Sequence, residues 1–517
     1  MVFKLNNIKV VAFFASLFFL FSCGQNSVPE SYVESTDSLI IYPDYKNVVV
    51  PFNIGPLNFM VQNECEEVYV KVTCADDSIE LSGRSGEVRF PSKEWKKMLL
   101  ENKNDSLCVN VWLKKREWNH YSEFYIRVVP DSIDPYITFR MIEPSYMGTG
   151  NVYLSQYNME TLEQKKFVDC HFFRSDPSYG GSRCMNCHTT QASNPRNASF
   201  HHRGSGGGMV LTYKGETKVI ATKVGDMANA AVYQRWHPTL PFIVFSNNTV
   251  KQLFPTENKN KIECFDMRSD ILLYDIEKNT IRYVLKTHDD FETYPVWSAS
   301  GDYIYYCVSG FSKMREMDDF TKKKYNLNRI KFNPDSMSFG TPELVFDAEG
   351  KGKSVSKPRV SPDGRYIIMT ISELGAYHYT HKDAEVLLYD TKDSTSTILS
   401  DLNSKESEGY VSWSSNGRWI MVGSRREDGS YVRLYFSYFD ENGKTHKVFQ
   451  LPHESPSYDK MLLKCYNYPE FSKVNVDIEP FDIYSMLEKN APIVPEYVGT
   501  IDEKMSLDAV AGASVVK

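Results

Sequence analysis

Residues Arg359–Ser372 read RVSPDGRYIIMTIS, a turn followed by an apolar strand, and the phrase returns three more times. Val296–Ser309 is VWSASGDYIYYCVS, Val411–Ser424 is VSWSSNGRWIMVGS, and Trp236–Ser246 is a looser WHPTLPFIVFS. In each, a Ser-x-x-Gly or Pro-containing turn leads into alternating aromatic and aliphatic residues, the period-two pattern of a strand. Second strands follow at SDILLYDIEKNTIRYVL, YNLNRIKF, AEVLLYDTKDSTSTIL and VRLYFSYFDENGKTHKVF, so each unit predicts one small antiparallel sheet. The period, roughly 50 to 60 residues, is too long for a solenoid rung and suits a propeller blade with variable loops. Less regular units at YITFRMIEPSY, continuing through NVYLSQYNMETLEQKKF, then at GGMVLTYKGETKVIATK and SYDKMLLKCYNYP, bring the total to about six blades.

Within these repeats Asp363-Gly364 and Asn416-Gly417 are turn pairs, and Trp297 and Trp413 are suited to packing between blades. The phrases VSPDGRYI, WSASGDYIYY and WSSNGRWIMV resemble the WD40-like repeats of TolB-like β-propellers. The resemblance runs from about Asp131 to Val498 and implies a fold but no chemistry.

Upstream, short alternating segments such as NVVVPFNI, EEVYVKVTC, LCVNVWLKK and SEFYIRVV are separated by Asn, Asp, Gly and Ser, which predicts an antiparallel, Ig-like sandwich over residues 38–130. One helix is expected at SKEWKKMLLEN, with Ser92 as its N-cap. The fold class is therefore all-β: an N-terminal Ig-like β-sandwich followed by a TolB-like, approximately six-bladed β-propeller over 131–498 and a tail over 499–517.

Compartment is read from the N-terminus. Lys4 and Lys9 precede the run VVAFFASLFFLFS, too short to span a bilayer comfortably, so residues 1–22 read as a secretory signal peptide. The ending Leu20-Phe21-Ser22-Cys23 resembles the lipobox of bacterial lipoproteins, which implies lipidation at Cys23 and attachment to a membrane in the bacterial cell envelope, on its periplasmic or outer-membrane face. An ordinary cleaved signal is the alternative. Residues 23–37 then form a polar tether. The lipobox, the NIGPLNF segment, CMNCH, HHRGSGGG and the propeller repeats together resemble lipoproteins of Bacteroidetes type that carry a c-type cytochrome motif.

RCMNCH, Arg183–His188, is the segment with chemistry in it. Two cysteines spaced by two residues with an adjacent histidine is the pattern of covalent haem attachment: Cys184 and Cys187 add to the vinyl groups and His188 binds iron. The surrounding Gly, Ser, Asn and Pro place the motif in a long loop over 174–200. His202, His201 and Met209 follow as candidates for the sixth iron ligand, with His202 favoured over Met209. Arg203 is placed to pair with a haem propionate, and the run Gly204–Gly208 permits close approach to a planar ligand. Two alternatives remain open: with Cys170 and His171 upstream, a four-ligand zinc site that takes in Cys184, Cys187 and one histidine, and a disulfide of Cys184 with Cys187. The other cysteines, Cys65, Cys74, Cys108, Cys170, Cys264, Cys307 and Cys465, are widely spaced and odd in number, and read mainly as buried thiols.

With 59 basic and 66 acidic side chains the chain carries a formal charge of -7 and no basic stripe, so nucleic acid is not an expected partner. Neither a Gly-x-Ser-x-Gly elbow nor a phosphate loop appears, and the expected role is non-enzymatic. That role is electron transfer or redox sensing through one haem c with a redox partner in the envelope, or, alternatively, docking of an envelope protein or glycan by the propeller.

Overall fold

The serine of each repeat builds the turn that follows the inner strand. Ser361 Oγ accepts the N–H of Tyr366 at 2.9 Å, Ser298 Oγ that of Tyr303 at 3.1 Å, and Ser414 Oγ that of Trp419 at 2.9 Å. Gly364, Gly301 and Gly417 donate back to the carbonyls of the same three serines. These glycines sit at φ 78°, 83° and 70°, a region that costs an L side chain energy. A Cβ at Gly301 would also collide with the imidazole of His237 in the neighbouring blade. Gly301→Ala is therefore expected to lower stability by about 1–2 kcal/mol, read as a reduced urea midpoint at unchanged slope.

The computed structural model describes residues 27–144, 151–173, 184–203, 207–227, 229–253, 262–310 and 322–499. The signal peptide, Cys23, Gly204–Gly206 and the tail beyond 499 lie outside the described residues. Six sheets of four or five strands form the propeller. Their innermost strands are Cys465–Ser472 in blade 1, Cys184–Gln191 in blade 2, Val232–Trp236 in blade 3, Asp290–Trp297 in blade 4, Ser354–Val360 in blade 5 and Glu408–Trp413 in blade 6. Each inner strand packs against the next, and the strand of blade 1 packs against those of blades 2 and 6, so the ring is closed.

Blade 1 corrects the reading of the sequence. SYDKMLLKCYNYP is not a unit of its own: Cys465–Ser472 pairs antiparallel with Tyr136–Ile142 and completes the sheet begun at the other end of the propeller. The expected turn residues and interblade indoles are present. Trp297 Nε1 donates to the carbonyl of Arg235 and Trp413 Nε1 to that of Arg359, each at 3.1 Å and each reaching the inner strand of the preceding blade.

The sandwich departs from a purely antiparallel one. Glu67–Cys74, Asp77–Arg84, Ser106–Lys114 and Trp118–Val129 pair antiparallel, but Val33–Glu34 and Val48–Pro51 both run parallel to Trp118–Val129. Residues 33–34, expected in the tether, thus belong to the sheet. A second sheet holds Ile41–Tyr42, Phe59–Val61 and Glu87–Val88. The helix lies at Ser92–Glu101, with Pro91 rather than Ser92 in the capping position and no side-chain cap.

One apolar cluster runs through the sandwich into blades 6 and 1, joining Val50, Leu57 and Trp95 to Trp419, Phe436, Phe449 and Phe139. After the closing strand the chain forms a helix, Pro480–Lys489, against the outer strand of blade 1. It then bridges Ile493 to Ile220 of blade 2 and lays Glu496–Tyr497 parallel to Thr280–Ile281 of blade 3.

Candidate functional site

The CxxC segment is not a loop. Cys184–Gln191 is the innermost strand of blade 2 and Asn194–Arg203 the strand beside it, joined by a tight turn in which Ala192 and Ser193 have φ 48° and 60°. Of the residues that suggested a loop, Ser193, Asn194 and Pro195 fall at this turn and the start of the strand after it. Residues 174–183, the rest of the expected loop, lie outside the described residues.

That irregularity recurs six times. The ladder shifts between Asn186 and Thr189, Val232 and Arg235, Thr293 and Val296, Ser356 and Arg359, and Gly409 and Ser412, and likewise in the closing strand. At each shift one non-glycine residue is left-handed: Cys187 at φ 50°, Tyr233 at 57°, Tyr294 at 51°, Lys357 at 50°, Tyr410 at 52° and Tyr468 at 49°. A bulge re-aims its side chain, and the left-handed conformation costs a bulky L residue about 1–2 kcal/mol, so its repetition in every blade marks a position held for a purpose.

The re-aimed side chains converge. Ring centroids lie 4.4 Å apart for Tyr233 and Tyr294, 5.2 Å for Tyr410 and Tyr468, and 6.5 Å for Tyr233 and Tyr468. From the loop after the second strand of blade 5, Tyr377 hydrogen-bonds the Tyr233 hydroxyl and Tyr379 stacks on Tyr410 at 5.2 Å. Lys357 sits among these rings, its Nζ 4.7 Å from the centroid of Tyr294, 5.0 Å from Tyr379, 5.5 Å from Tyr377 and 5.7 Å from Tyr410. It donates to the carbonyl of Ala376 at 3.2 Å. Burial pushes this amine down to about 7, against the opposing pull of Cys307, Cys264, Asp266 and Cys187. The tyrosines are pushed up by the same burial.

Cys187 occupies the place in this ring that tyrosine or lysine fills in the other five blades. The nine described cysteines are all free thiols. Asn186 Nδ2 approaches Cys184 Sγ at 3.5 Å. Arg203 lies directly opposite Cys184 in the ladder and its side chain stays solvent-accessible although protein surrounds it, as at the open end of a channel. Burial opposes its charge, yet Cys184, Cys187, Tyr233 and Tyr377 around it hold its pKa above the ordinary value.

His188 is buried, with Glu470, Arg235 and Arg140 as its charged neighbours, and burial pushes its imidazole down to about 4. The backbone of Thr138 is the polar group beside its ring, although neither ring nitrogen meets strict hydrogen-bond geometry, and Nδ1 of His201 has no partner among the described residues. Buried polar atoms in folded proteins are nearly always paired, so such orphans ask for a missing partner. His201 is held well below its usual value by burial, with Arg203 and His202 adding to the effect. His202 pairs across from Met185. Met209 pairs with His201 but packs into the cluster of Leu211, Ile220 and Trp236, separate from the cluster that holds Cys170, Cys184 and Met185. The zinc alternative is not assembled: among the described residues no group of three or more His, Cys, Asp or Glu side chains is close enough to hold a metal ion, and His171 lies exposed on the outside.

The ring residues went unnoticed in the sequence although a signal was there. Aligning the units on the last residue of each inner strand motif gives Tyr233-Gln-Arg-Trp, Tyr294-Pro-Val-Trp, Lys357-Pro-Arg-Val, Tyr410-Val-Ser-Trp and Tyr468-Pro-Glu-Phe, the first residue three before the last in each. Cys187-His-Thr-Thr aligns with them.

No family model matches the chain, and no curated protein matches it. Among solved structures it is similar to TolB from Acinetobacter baumannii, with 12% identity and a TM-score of 0.40 over 74% of this chain and 85% of that one. It is also similar to hydrazine synthase from Kuenenia stuttgartiensis, with 10% identity and a TM-score of 0.39 over 63% of this chain and 48% of that one. A hypothetical selenium-binding protein from Sulfolobus tokodaii gives 9% identity and a TM-score of 0.38 over 83% and 96%. These likenesses concern the fold. Among the described residues no helix is long and apolar enough to cross a membrane.

Proposed function

We propose that this chain is an exported lipoprotein, anchored through Cys23, whose propeller carries one covalent haem at Cys184 and Cys187 and passes single electrons to or from an envelope partner. The carrying observation is the buried imidazole of His188 together with the unpaired Nδ1 of His201, in the same sheet as two free thiols, at the one blade where the inner ring has cysteine. The donor set fits the group. Cys184 and Cys187 would hold it through thioethers and His188 would supply one axial nitrogen, while Arg203, accessible beside both thiols, suits a propionate. His202 remains the candidate for the sixth position, since Met209 is packed among apolar side chains facing blade 3. When bound, haem supplies a one-electron redox change. The surrounding tyrosines and apolar clusters exclude water from it, and the buried imidazoles stay neutral and able to ligate at physiological pH.

The test is expression with the signal peptide in a host that matures c-type cytochromes. Covalent haem on a denaturing gel, a reduced-state absorption band and added mass on the peptide holding Cys184 and Cys187 are expected. Colourless protein with that peptide at its unmodified mass would overturn the reading.

A second reading has its own observation. Cys184 Sγ approaches the carbonyl of Met185 at 3.8 Å, and Cys170 shares both that carbonyl and the Cys184 thiol as neighbours. In a binding propeller these two thiols would form a staple, and the same mass measurement would then find the peptides of Cys170 and Cys184 joined and free of haem.

A further inference from the structure

The opposite mouth of the channel is a separate cavity. We propose that it binds a small organic carboxylate with a planar or apolar body, for which Arg359 is the anchoring residue. The cavity, 350 Å³ in volume, takes lining residues from all six blades. That is near the lower limit of ligand pockets and fits a compound built on one ring.

Its floor is made by the residues two positions after each bulge. Arg235 Nη1 donates to Thr189 Oγ1 at 2.9 Å and to Glu470 Oε1 at 2.5 Å, a bridge from blade 3 across blade 2 to blade 1. It commits the charge of Arg235 to Glu470. Arg359, at the same level in blade 5, has no such partner. Its Nη1 donates to the carbonyl of Pro358 at 2.9 Å, and no carboxylate among the described residues pairs with it. The exposed Lys473 acts on Asp134, which also accepts the Ser415 N–H and hydroxyl, each at 2.6 Å. The mouth therefore presents one guanidinium with no carboxylate partner among the described residues, that of Arg359, while Lys473 faces Asp134.

The walls give the rest of the ligand's chemistry. Trp236, Trp297 and Trp413 line three sides and Phe471 a fourth, with serine hydroxyls between them. A guanidinium in an apolar surround selects a carboxylate by two parallel hydrogen bonds, whereas a phosphate dianion or a nucleotide needs more donors and more room than one arginine in this volume offers.

The full chain should be titrated with N-acetylphenylalanine and with its amide, following tryptophan fluorescence and heat of binding. The acid is expected to bind saturably and at least about tenfold more tightly than the amide, and Arg359→Gln to abolish that preference. Equal binding of acid and amide to the unaltered protein, or no saturation by the acid up to about 10 mM, would overturn the proposal whether or not the variant folds. Neither readout involves Cys184, Cys187 or haem.

Discussion

Lys357→Met is expected to be more stable than the unaltered protein at pH 7, by about 2–4 kcal/mol. Two effects oppose each other at this amine. The aromatic rings around it favour the cation by roughly 0.5–2 kcal/mol, whereas desolvating a charge in a packed interior costs several kcal/mol. Desolvation wins, which is why the amine is pushed down to about 7. An unfolded lysine titrates near 10.4, so between about pH 7 and 10.4 the unfolded chain binds the extra proton and stability rises with pH. The penalty is thus fully present below about pH 7 and disappears as the pH approaches 10. Loss of the bond to Ala376 returns about 1 kcal/mol of it. Urea unfolding of both proteins at pH 7 and pH 10 gives the answer. The advantage of Lys357→Met should be large at the lower pH and close to nil at the higher, and a variant less stable at pH 7 would show that the rings hold the lysine charged.

Trp419→Ala should cost about 3–5 kcal/mol and unfold sandwich and propeller together. Trp419 is fully buried, its ring 5.1 Å from Tyr438 and 6.2 Å from Phe449, and its Nε1 donates to the carbonyls of Asp131 and Ser132 at 3.3 and 3.1 Å. Those two residues form the link between the domains. Removing the indole therefore leaves a cavity and takes the indole donor from the Asp131 carbonyl, while the Ser132 carbonyl keeps its bond from Asn416, where the apolar cluster crosses from one domain to the other. Asn58 Nδ2, bonded to the carbonyls of His453 and Glu454 at 3.1 Å each, and Gly55, bonded to Met159, tie the same faces. Denaturation followed by near-ultraviolet and far-ultraviolet circular dichroism should show coincident transitions in both proteins, shifted to lower urea in the variant. Two separated transitions in the unaltered chain would mean that the shared cluster does not couple the domains.

The repeat architecture was legible because it is written in local chemistry: Ser361, Ser298 and Ser414 make their turns within five residues, and alternation follows at once. Blade 1 was not, since the pairing of Cys465–Ser472 with Tyr136–Ile142 spans the whole propeller and nothing in either segment names the other. The parallel partners of Trp118–Val129 were hidden for the same reason, being short strands distant in sequence. At the candidate site the structure changes the setting: Cys184–Gln191 is an inner strand where a loop was expected. Cys187 and His188 break the alternation because of the bulge, and a broken alternation looks like a loop until Tyr233, Tyr294, Lys357, Tyr410 and Tyr468 are seen to break it at the same step. The role of Arg359 had no local signature, because an unpaired charge is defined by which carboxylates are elsewhere.

The two ends of the chain have a shared effect on how this molecule meets its surroundings. A propeller exposes one open strand edge per blade, each a row of unpaired amides and carbonyls on which a neighbouring chain can add. Here the sandwich lies against blades 6 and 1, through the bonds of Lys447 to Asp44 and of Gln450 to the Tyr42 hydroxyl, and the C-terminal segment covers blades 2 and 3. Among the described residues, uncovered edges are left to blades 4 and 5, where all four residues of Thr395–Ile398 are exposed. The circumference is thus polarised: side-by-side association through added strands is confined to one sector, the far side from the strap that braces the CxxC blade.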